Sequence, residues 1–542
     1  MAQVQKLPPQ WSNYRSKPVL VDRIFDICQK YNLGHQTFQY AIMLWDRYLL
    51  ASDKLSDSEL RISSVVCLMI GTKMEEVNLF EYQHGVSICQ YKCSQEELLK
   101  TEIKILDRIQ YNMVKETPYQ FIKYYCRQKN LSPRECDLSL FLSDIMLCTF
   151  EYILYRTKEL ADKITDFAKI TDFAREASEE KIPADPIHSL ICSLWTNSKN
   201  WNIMFIPLHY ASEKRHKVAL DKIPQIHLGS EPAILPNTEL KFQTNLYPAE
   251  LTDEQIIQEK IGHGTFGAVY KVGLGKVEFA IKKFHPDNFK TYGINYAALR
   301  EIGAMMYLDH PSIIKFKGCH CHPPTGTMYL AMELMSSDLV CSLESWSQNP
   351  EIKFGYICQL LEGVTYLHAS NIMHRDLTLP NILVKGPVLK IGDFGLSRNF
   401  MICDEDVRYS KDICSIYFRA IELLLGRSSY DEKIDVWSLA CIIFYILDLR
   451  LLFESPSQIG MVFQIFSRLG TPLNGSVVRS WHGFQPIIPH WQRRGIGMAA
   501  YPLASGVLEM MLEYEPEKRI GALESLERFK KLKNEIQFGG LV

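Results

Sequence analysis

The sequence predicts a multidomain protein in which an all-α region of two helical repeats is followed by a two-lobed α+β region. Three observations lead to this expectation. A chain of 542 residues is too long for a single hydrophobic core. Apolar residues recur at intervals of three and four through the first part of the chain, where no alternating strand pattern occurs. Further on, alternating apolar residues around several glycines predict a small twisted sheet, after which helical periodicity returns.

The charge balance argues against a nucleic-acid or membrane partner. The chain carries 60 basic and 62 acidic residues, so no overall field would attract polyanions. The N-terminus shows no secretory signal pattern, and the 15 cysteines lack the short spacing of a disulfide scaffold. We therefore expect an intracellular protein of the nucleus, the cytoplasm or both. The longest apolar run, Cys441 to Phe453, contains Asp448 and Arg450 and predicts a buried helix.

Domain boundaries follow from changes in these patterns. The segments FQYAIMLWDRYLL and ISSVVCLMIGTKMEE have helical periodicity, and Thr117 with Pro118 suits the start of a second helical set. Prolines scattered through polar sequence then predict a linker. The predicted divisions are helical repeats over 1–116 and 117–210, a linker over 211–250, and an α+β domain over 251–535 with lobes 251–335 and 336–535.

A glycine-rich loop opens the α+β domain. The run from Gly262 to Val269 fits the pattern GxGxxGxV, whose glycines let backbone amides close over phosphate oxygens. In dinucleotide-binding folds such glycines open a helix, whereas here a strand pattern continues, which favours the nucleotide loop of a protein kinase. Lys282 follows on the next strand, and Glu301 lies on the following helix as its expected ion-pair partner.

Two further motifs carry the chemistry. HRDLTLPN (His374 to Asn381) is followed, after a short predicted hairpin, by DFG beginning at Asp393. Phosphoryl transfer needs a carboxylate to accept the proton of the attacking hydroxyl, which we assign to Asp376. It also needs oxygen ligands for Mg²⁺, which we assign to Asn381 and Asp393. The expected cofactors are therefore ATP and Mg²⁺.

These motifs, together with AALREI around Glu301 and RLGTP from Arg468 to Pro472, resemble the cyclin-dependent kinases. The resemblance implies a serine/threonine kinase acting on protein substrates, with proline after the phosphorylated residue. It also implies ATP contacts from the glycine loop, its neighbouring strand and the hinge between the lobes: Gly262, Gly264, Thr265, Gly267, Val269, Ala280, Lys282, Met332, Glu333, Met335 and Asp338.

The same resemblance implies a phosphate pocket. Arg300, Arg375 and Arg398 occupy the positions where this family gathers three guanidinium groups, which match phosphate geometry. Ser410 is the expected phosphorylation site in the activation loop, with Tyr409 as a nearby competitor. An activating kinase would then be a further partner. The alternative is an ordinary solvated loop serine.

The first part of the chain resembles a cyclin. AIMLWDRYLL, CLMIGTKMEE and KTEIKILDRIQYNM are similar to three helices of the cyclin box, and the set after Thr117 is similar to the less regular second cyclin repeat. In cyclins a lysine and a glutamate grip the regulatory helix of the kinase, and these correspond to Lys73 and Glu102. The resemblance implies a kinase activated in cis by its own cyclin, through an intramolecular contact.

One departure leaves alternatives open. The family carries a lysine two residues after the catalytic aspartate, where this chain has Thr378. Losing one preorganised donor to the transition state costs on the order of 100-fold to 1000-fold in turnover. The chain could therefore be a weakly active kinase or an inactive pseudokinase scaffold. In a second alternative, the cyclin half acts in trans on another kinase.

Overall fold

The computed structural model describes residues 16–90, 92–114, 116–149, 151–154, 156–177, 191, 193–194, 205–211, 259–264, 267–274, 277–285, 289–346, 349–400, 415–485 and 487–537. Residues 212–250 of the predicted linker, Thr265, Tyr409 and Ser410 lie outside this set. The chain forms two compact units. The first comprises Met1–Asn245, Pro286–Tyr296 and Cys321–Thr327, and the second comprises Leu246–His285, Ala297–His320 and Met328–Val542.

The part before the predicted linker is helical throughout the described residues, as the sequence predicts. Its helices are Lys17–Lys30 (α1), His35–Leu50 (α2), Asp57–Glu75 (α3), Tyr82–Ile88 (α4), Gln95–Arg108 (α5), Pro118–Gln128 (α6), Pro133–Leu147 (α7), Thr157–Ala177 (α8) and Phe205–Ala211 (α9). The predicted start at Thr117 and Pro118 is confirmed, with proline in the first turn of α6 and the Gln120 side chain accepting the Thr117 N–H.

Helices α2 and α3 form the centre of this helical part. Trp45 of α2 is fully buried, and its indole N–H donates to Ser63 of α3 at 2.9 Å. Gly71 of α3 faces α2 closely, because a Cβ added there would lie 3.3 Å from the Thr37 carbonyl oxygen. Small residues at this crossing therefore allow the two helices to approach each other.

A buried charge ties α1, α2 and the 3-10 turn Glu151–Leu154 together. The ammonium of Lys17 lies 2.9 Å from the Asp46 carboxylate, and the Tyr152 hydroxyl donates to the same carboxylate at 2.6 Å. Burial raises the pKa of Asp46 to about 6, against the opposing charge of Lys17 and the hydrogen bond from Tyr152. The contact positions three elements, and the buried Asp46 carboxyl is easier to protonate than an exposed one.

The α+β part begins with a five-stranded sheet. The strands of this part are Glu259–Gly264 (β1), Gly267–Leu274 (β2), Val277–Phe284 (β3), Phe316–His322 (β4), Thr327–Glu333 (β5), Ser337–Asp338 (β6), Ile372–Met373 (β7), Ile382–Lys385 (β8), Val388–Ile391 (β9) and Arg398–Asn399 (β10). The sheet has the order β1-β2-β3-β5-β4, and its β1–β2, β2–β3 and β3–β5 pairs are antiparallel. The predicted small antiparallel sheet is confirmed.

Helices dominate the remainder. Their bounds are Phe289–Tyr292 (α10), Tyr296–Met305 (α11), Leu339–Trp346 (α12), Pro350–Ala369 (α13), Ile421–Leu424 (α14), Lys433–Asp448 (α15), Gln458–Leu469 (α16), Pro502–Met511 (α17) and Ala522–Gln537 (α18). The helix predicted from Cys441 is confirmed as the second half of α15, but it ends at Asp448, because Leu449 adopts the left-handed φ of 61°.

A buried ion pair braces the larger lobe. Both terminal nitrogens of Arg519 donate to the Glu422 carboxylate of α14, at 2.8 and 3.0 Å, and its Nε donates to the Glu513 carbonyl oxygen at 2.8 Å. Arg519 and Glu422 are almost completely buried. Such a two-pronged pair compensates the desolvation of both charges and fixes the start of α14. None of the helices within the described ranges is long and apolar enough to cross a membrane.

Candidate active site

Lys282 is the centre of a charged cluster between the sheet and α11. It lies in β3, paired with Val269 of β2 and with Leu330 of β5. Its ammonium is 2.7 Å from the Glu301 carboxylate and 2.9 Å from that of Asp393. Burial alone would lower the pKa of Lys282, but the two carboxylates hold it above its ordinary value. Lys282 therefore stays a positive charge inside the site.

Asp393 begins the DFG motif directly after β9. It adopts a positive φ of 59°, and the Gly395 N–H donates back to its carboxylate at 3.3 Å. Phe394 is fully buried, with its ring 5.0 Å from the His374 ring. Burial would raise the pKa of Asp393, but Lys282 and the backbone N–H hold it below its ordinary value. The Asp393 side chain is thus an ionised oxygen donor.

Asp376 and Asn381 face each other across the loop that follows β7. The Asn381 amide donates to the Asp376 carbonyl oxygen at 2.9 Å and to its carboxylate at 3.1 Å. Burial raises the pKa of Asp376, partly opposed by His374 and Asn381. Thr378, between them in sequence, is 6% exposed, and its carbonyl oxygen accepts the Asn381 N–H at 3.1 Å. Asp376 therefore combines a raised basicity with a fixed position.

The carboxylate of Asp435 on α15 holds this loop by accepting hydrogen bonds from its backbone. Its carboxylate accepts the backbone N–H groups of His374 at 2.8 Å and of Arg375 at 2.9 Å, and it lies 3.1 Å from the His368 ring. Arg375 adopts a positive φ of 69°, a conformation that costs energy unless surrounding contacts impose it. Asp435 supplies those contacts. The role of His368 could not be predicted from the sequence, because its surroundings there are those of an ordinary apolar helix.

The donor chemistry of this cluster fits magnesium. Asp393 offers a carboxylate, and Asn381, whose amide nitrogen is turned toward Asp376, offers its amide oxygen. Oxygen donors of this kind suit Mg²⁺, whereas transition metals favour imidazole and thiolate. Among the residues that the structure describes, no group of three or more His, Cys, Asp or Glu side chains converges as a metal site.

The glycines of the β1–β2 hairpin are needed for two different reasons. A Cβ at Gly267 would lie 2.2 Å from the Lys283 carbonyl oxygen, so the packing of β2 against β3 requires glycine there. Among the described residues, a Cβ at Gly264 would meet nothing within 4 Å, and one at Gly262 would make an ordinary contact with Val269. The protein's own packing therefore does not explain these two glycines, whereas close approach of a phosphate to the backbone would.

The predicted hinge lies at the end of strand β5, which pairs with the central strand β3. Met332 pairs with Ala280 of β3 and is mostly buried. The side chain of Glu333 accepts the Lys315 N–H at 2.6 Å and pairs with Lys390 at 2.8 Å. Asp338 accepts the Cys341 N–H at 2.9 Å at the start of α12. Both acidic side chains thus have structural partners, which leaves the backbone from Glu333 to Met335 as the polar edge of the hinge.

Comparison with known proteins decides the family. The protein kinase domain model matches residues 256–529, just over half of the chain. The chain belongs to the protein kinase family. The model of the cyclin N-terminal domain matches residues 3–114, so the kinase carries a cyclin-like region in front of its kinase domain.

Relatives of this kinase share both parts. "Putative serine/threonine-protein kinase L673" of Acanthamoeba polyphaga mimivirus is 31% identical over 535 residues, covering 94% of this chain and 96% of the relative. Two similarly named proteins of the same virus, L670 and L268, are 29% and 28% identical, covering 94% and 95% of this chain and 92% and 97% of their own. The similarity therefore extends across the cyclin-like region as well as the kinase domain.

Two of the three predicted pocket arginines of the kinase converge on Tyr430. The guanidinium carbon of Arg375 lies 5.7 Å from the Tyr430 ring centroid. Burial raises the pKa of Tyr430 to about 12, against the opposing charges of Arg375 and Arg398. Arg300 is buried on α11. No sequence motif indicated Tyr430, because its contacts come from residues far away in the chain.

The cyclin-like region contains a second charged cluster around Glu102 of α5. Lys73 of α3 and the Tyr82 hydroxyl of α4 both hydrogen-bond to the buried Glu102 carboxylate, which also accepts the Ile294 N–H at 3.1 Å. Burial lowers the pKa of Lys73, against the charge of Glu102. Ile294 belongs to the segment of the first unit that leads into α11. Tyr82 was not predicted, because its segment has no periodic pattern.

Gly293 packs closely against this cluster. It has a φ of +74°, and a Cβ there would lie 2.2 Å from a Glu102 carboxylate oxygen and 2.5 Å from the Tyr82 hydroxyl. Any other residue at position 293 would therefore clash and would also adopt a disfavoured backbone conformation. The Tyr292 hydroxyl, 3.4 Å from Glu81, adds a further contact to the same segment.

Proposed function

We propose that this chain is a cyclin-dependent type of serine/threonine protein kinase that transfers the γ-phosphate of ATP to serine or threonine, with proline following. We further propose that its cyclin-like region activates it in cis. The observation that carries the proposal is the contact of Lys282 with both Glu301 and Asp393, at 2.7 and 2.9 Å. Phosphoryl transfer requires this lysine–glutamate pair and the DFG aspartate to be in place together.

Each residue has a role in this reaction. Asp376 accepts the proton of the attacking hydroxyl, and its buried position beside Asn381 fixes its carboxylate for that task. Asp393 and Asn381 hold magnesium, and Lys282 binds the α and β phosphates. Magnesium bound there would neutralise charge on the phosphate oxygens. The hinge backbone from Glu333 to Met335 binds adenine beside Met332, and Asp338 lies near the ribose.

Activation in cis would act through the segment before α11. Glu102 binds the Ile294 N–H, and α11, which begins two residues later, carries Glu301. A contact that fixes the start of α11 favours the helix position in which Glu301 meets Lys282. Moving such an equilibrium from 1:99 to 99:1 takes about 5.5 kcal/mol of differential binding, which several buried polar contacts could supply together.

Phosphorylation of the activation loop would be a further control. A phosphate on Ser410 would be bound by Arg300, Arg375 and Arg398, which together carry three positive charges. The contacts of Arg375 and Arg398 near Tyr430 support this role for two of the three. A separate activating kinase would be the source of that phosphate.

An active kinase and a pseudokinase give different results in one assay. A pseudokinase would bind nucleotide without transferring phosphate, and Thr378 is the observation in its favour. The test measures transfer from labelled ATP to a serine/threonine peptide library by the full-length chain and by its Asp376→Asn variant. We expect transfer by the parent chain that the variant loses, with nucleotide affinity retained. Nucleotide binding by the parent chain without transfer would overturn the proposal in favour of the scaffold.

A further inference from the structure

The side chain of Glu333, at the end of β5, joins the predicted hinge to two other elements. Its carboxylate accepts the Lys315 N–H at 2.6 Å and lies 2.8 Å from the Lys390 ammonium of β9. The Glu333 N–H in turn donates to the Lys315 carbonyl oxygen at 3.1 Å. The Lys390 ammonium also donates to the Ile313 carbonyl oxygen at 3.3 Å. One ion pair therefore links β5, β9 and the segment between α11 and β4.

The β8–β9 hairpin holds both ends of the hinge. At one end, the Glu333 carboxylate contacts Lys390 of β9. At the other end, the Ser336 N–H donates to the Val384 carbonyl oxygen of β8 at 3.0 Å. Lys390 and Val384 occupy neighbouring positions of the hairpin, because Lys390 pairs with Leu383. The short stretch of chain between Glu333 and Ser336 is therefore fixed from both sides by the same two strands.

The ion pair is largely shielded from water. The Lys390 side chain is 14% exposed, and that of Glu333 is 26% exposed. Solvent and salt screen such a pair less than a fully exposed one. The segment before β4 is itself bound to β9, since the Ile314 N–H donates to the Ile391 carbonyl oxygen at 2.9 Å and the Ile391 N–H donates to the Ser312 carbonyl oxygen at 2.8 Å. The two charges therefore meet on backbone that other hydrogen bonds already hold in place.

We propose that Lys390 is a positioning residue for the nucleotide, because through Glu333 it fixes the hinge backbone that binds adenine. Its role rests on the proposed function, in which the backbone from Glu333 to Met335 is the adenine edge of the site. A hinge that is held at both ends does not have to be ordered when the nucleotide binds, which favours binding. Lys390 acts only through Glu333 and is not a catalytic residue.

Removing the charge of Lys390 should weaken nucleotide binding without slowing phosphate transfer in the bound state. Lys390→Met keeps the apolar part of the side chain, but Glu333 loses its ion-pair partner. We expect the KM and the Kd for ATP to rise about 10-fold, the size expected when one hydrogen bond to a charged group is lost. The kcat at saturating ATP and peptide should change by less than about 2-fold, because Asp376 and Asp393 keep their contacts.

Further variants test whether Lys390 acts through Glu333. Lys390→Arg keeps a positive charge within reach of the carboxylate and should recover most of the lost affinity. Glu333→Gln keeps an acceptor for the Lys315 N–H but removes the charge, so it should raise the Kd as Lys390→Met does. The double variant should bind no more weakly than either single variant, because each substitution alone breaks the same pair. Lys385→Met is the matched control, since it removes the same charge from an exposed position of β8.

The test measures the Kd of the full-length chain and its variants for ATP and for adenosine, together with the kinetics of phosphate transfer. Adenosine carries no charge at neutral pH, so a loss of affinity for it cannot come from a missing positive charge near the phosphates. We expect Lys390→Met to weaken the binding of both ligands by a similar factor. Glu333→Gln supplies the same comparison even where Lys390→Met folds poorly, because it changes the charge of the pair with little change in shape.

Any of five results would overturn the role of Lys390: unchanged affinity in Lys390→Met, no recovery in Lys390→Arg, an equal loss in Lys385→Met, additive losses in the double variant, or weaker binding of ATP but not of adenosine. Ligand binding is measured without phosphate transfer. A chain that binds nucleotide but transfers no phosphate would therefore contradict the proposed function and would still test Lys390, so the two failures are separate outcomes.

Discussion

Thr378 is the residue at which the site departs most from the family that it resembles. It lies in the loop that holds Asp376 and Asn381, with its side chain 6% exposed and its carbonyl oxygen bound to the Asn381 N–H. Threonine supplies no positive charge toward a transferred phosphate. The catalytic aspartate, the lysine–glutamate pair and the DFG aspartate all make the contacts expected of them. A positive charge at position 378 is therefore the feature that this site lacks.

Placing a positive charge at position 378 should raise the rate of phosphate transfer. We expect Thr378→Lys to raise turnover on the order of 100-fold, because it adds one preorganised donor to the transition state. Steady-state kinetics with a fixed peptide substrate measure the change in kcat. Thr378→Ala is the matched control and should give no gain. An unchanged kcat in the lysine variant would mean that another group already supplies the charge.

Asp46 should make the stability of the cyclin-like region depend on pH. Its pKa is raised by burial to about 6 in the folded chain, from an ordinary value of 3.8. Between these values the folded state binds more protons than the unfolded state, so the free energy of unfolding falls as pH rises through this window. Two pKa units correspond to on the order of 3 kcal/mol.

Asp46→Asn should remove this part of the pH dependence. Urea unfolding of the full-length chain at pH 4 and pH 7, followed by hydrogen exchange of helices α1 and α2, measures the effect. Asp53→Asn is the control, because the Asp53 side chain is fully exposed. A parent chain whose cyclin-like region gains stability relative to Asp46→Asn over the same pH range would contradict this account.

At the scale of elements, Gly293 connects the Glu102 cluster to the segment that leads into α11. Gly293→Ala should lower kinase activity about 10-fold to 100-fold, because the added Cβ displaces the backbone that donates to Glu102. Activity per folded molecule is measured with saturating ATP. Gly497→Ala is the matched control, since Gly497 has a similar φ of +71° but open space around its Cβ. Equal losses of kinase activity in both variants would mean that backbone strain alone, and not the contact with Glu102, causes the effect.

Some elements were predictable and others were not. The periodicity of α2 and α3, the proline start of α6 and the alternation of β1 to β3 follow from local sequence, so the fold class was correct. Strands β6, β7 and β10 have two residues each. They exist only through pairing with distant segments, for example Arg398 with Met373, and no local pattern marks them.

The site shows the same division. Lys282, Glu301, Asp376, Asn381 and Asp393 stand in spaced motifs, and the structure brings them together. Three supporting contacts elsewhere could not be predicted from the sequence: Tyr82, His368 and Tyr430 meet Glu102, Asp435 and Arg375 only after folding. Motifs mark chemistry, whereas supporting contacts depend on tertiary packing.

At the scale of the whole molecule, the central question is whether the cyclin-like region acts on its own kinase domain. Joining two such regions in one chain gives an effective concentration on the order of millimolar when the connection can span the sites. A partner present at micromolar concentration could not compete with it. Cis activation should therefore dominate in dilute solution.

Mixing two defective chains tests this claim most directly. Asp376→Asn lacks the base but keeps an intact cyclin-like region, and Glu102→Ala keeps the base but lacks the acceptor for Ile294. Phosphate transfer is measured for each full-length chain alone and for an equimolar mixture at micromolar concentration. Cis activation predicts that the mixture does no more than the sum of the separate chains. Recovery of activity in the mixture toward that of the parent chain would contradict the account and establish action in trans.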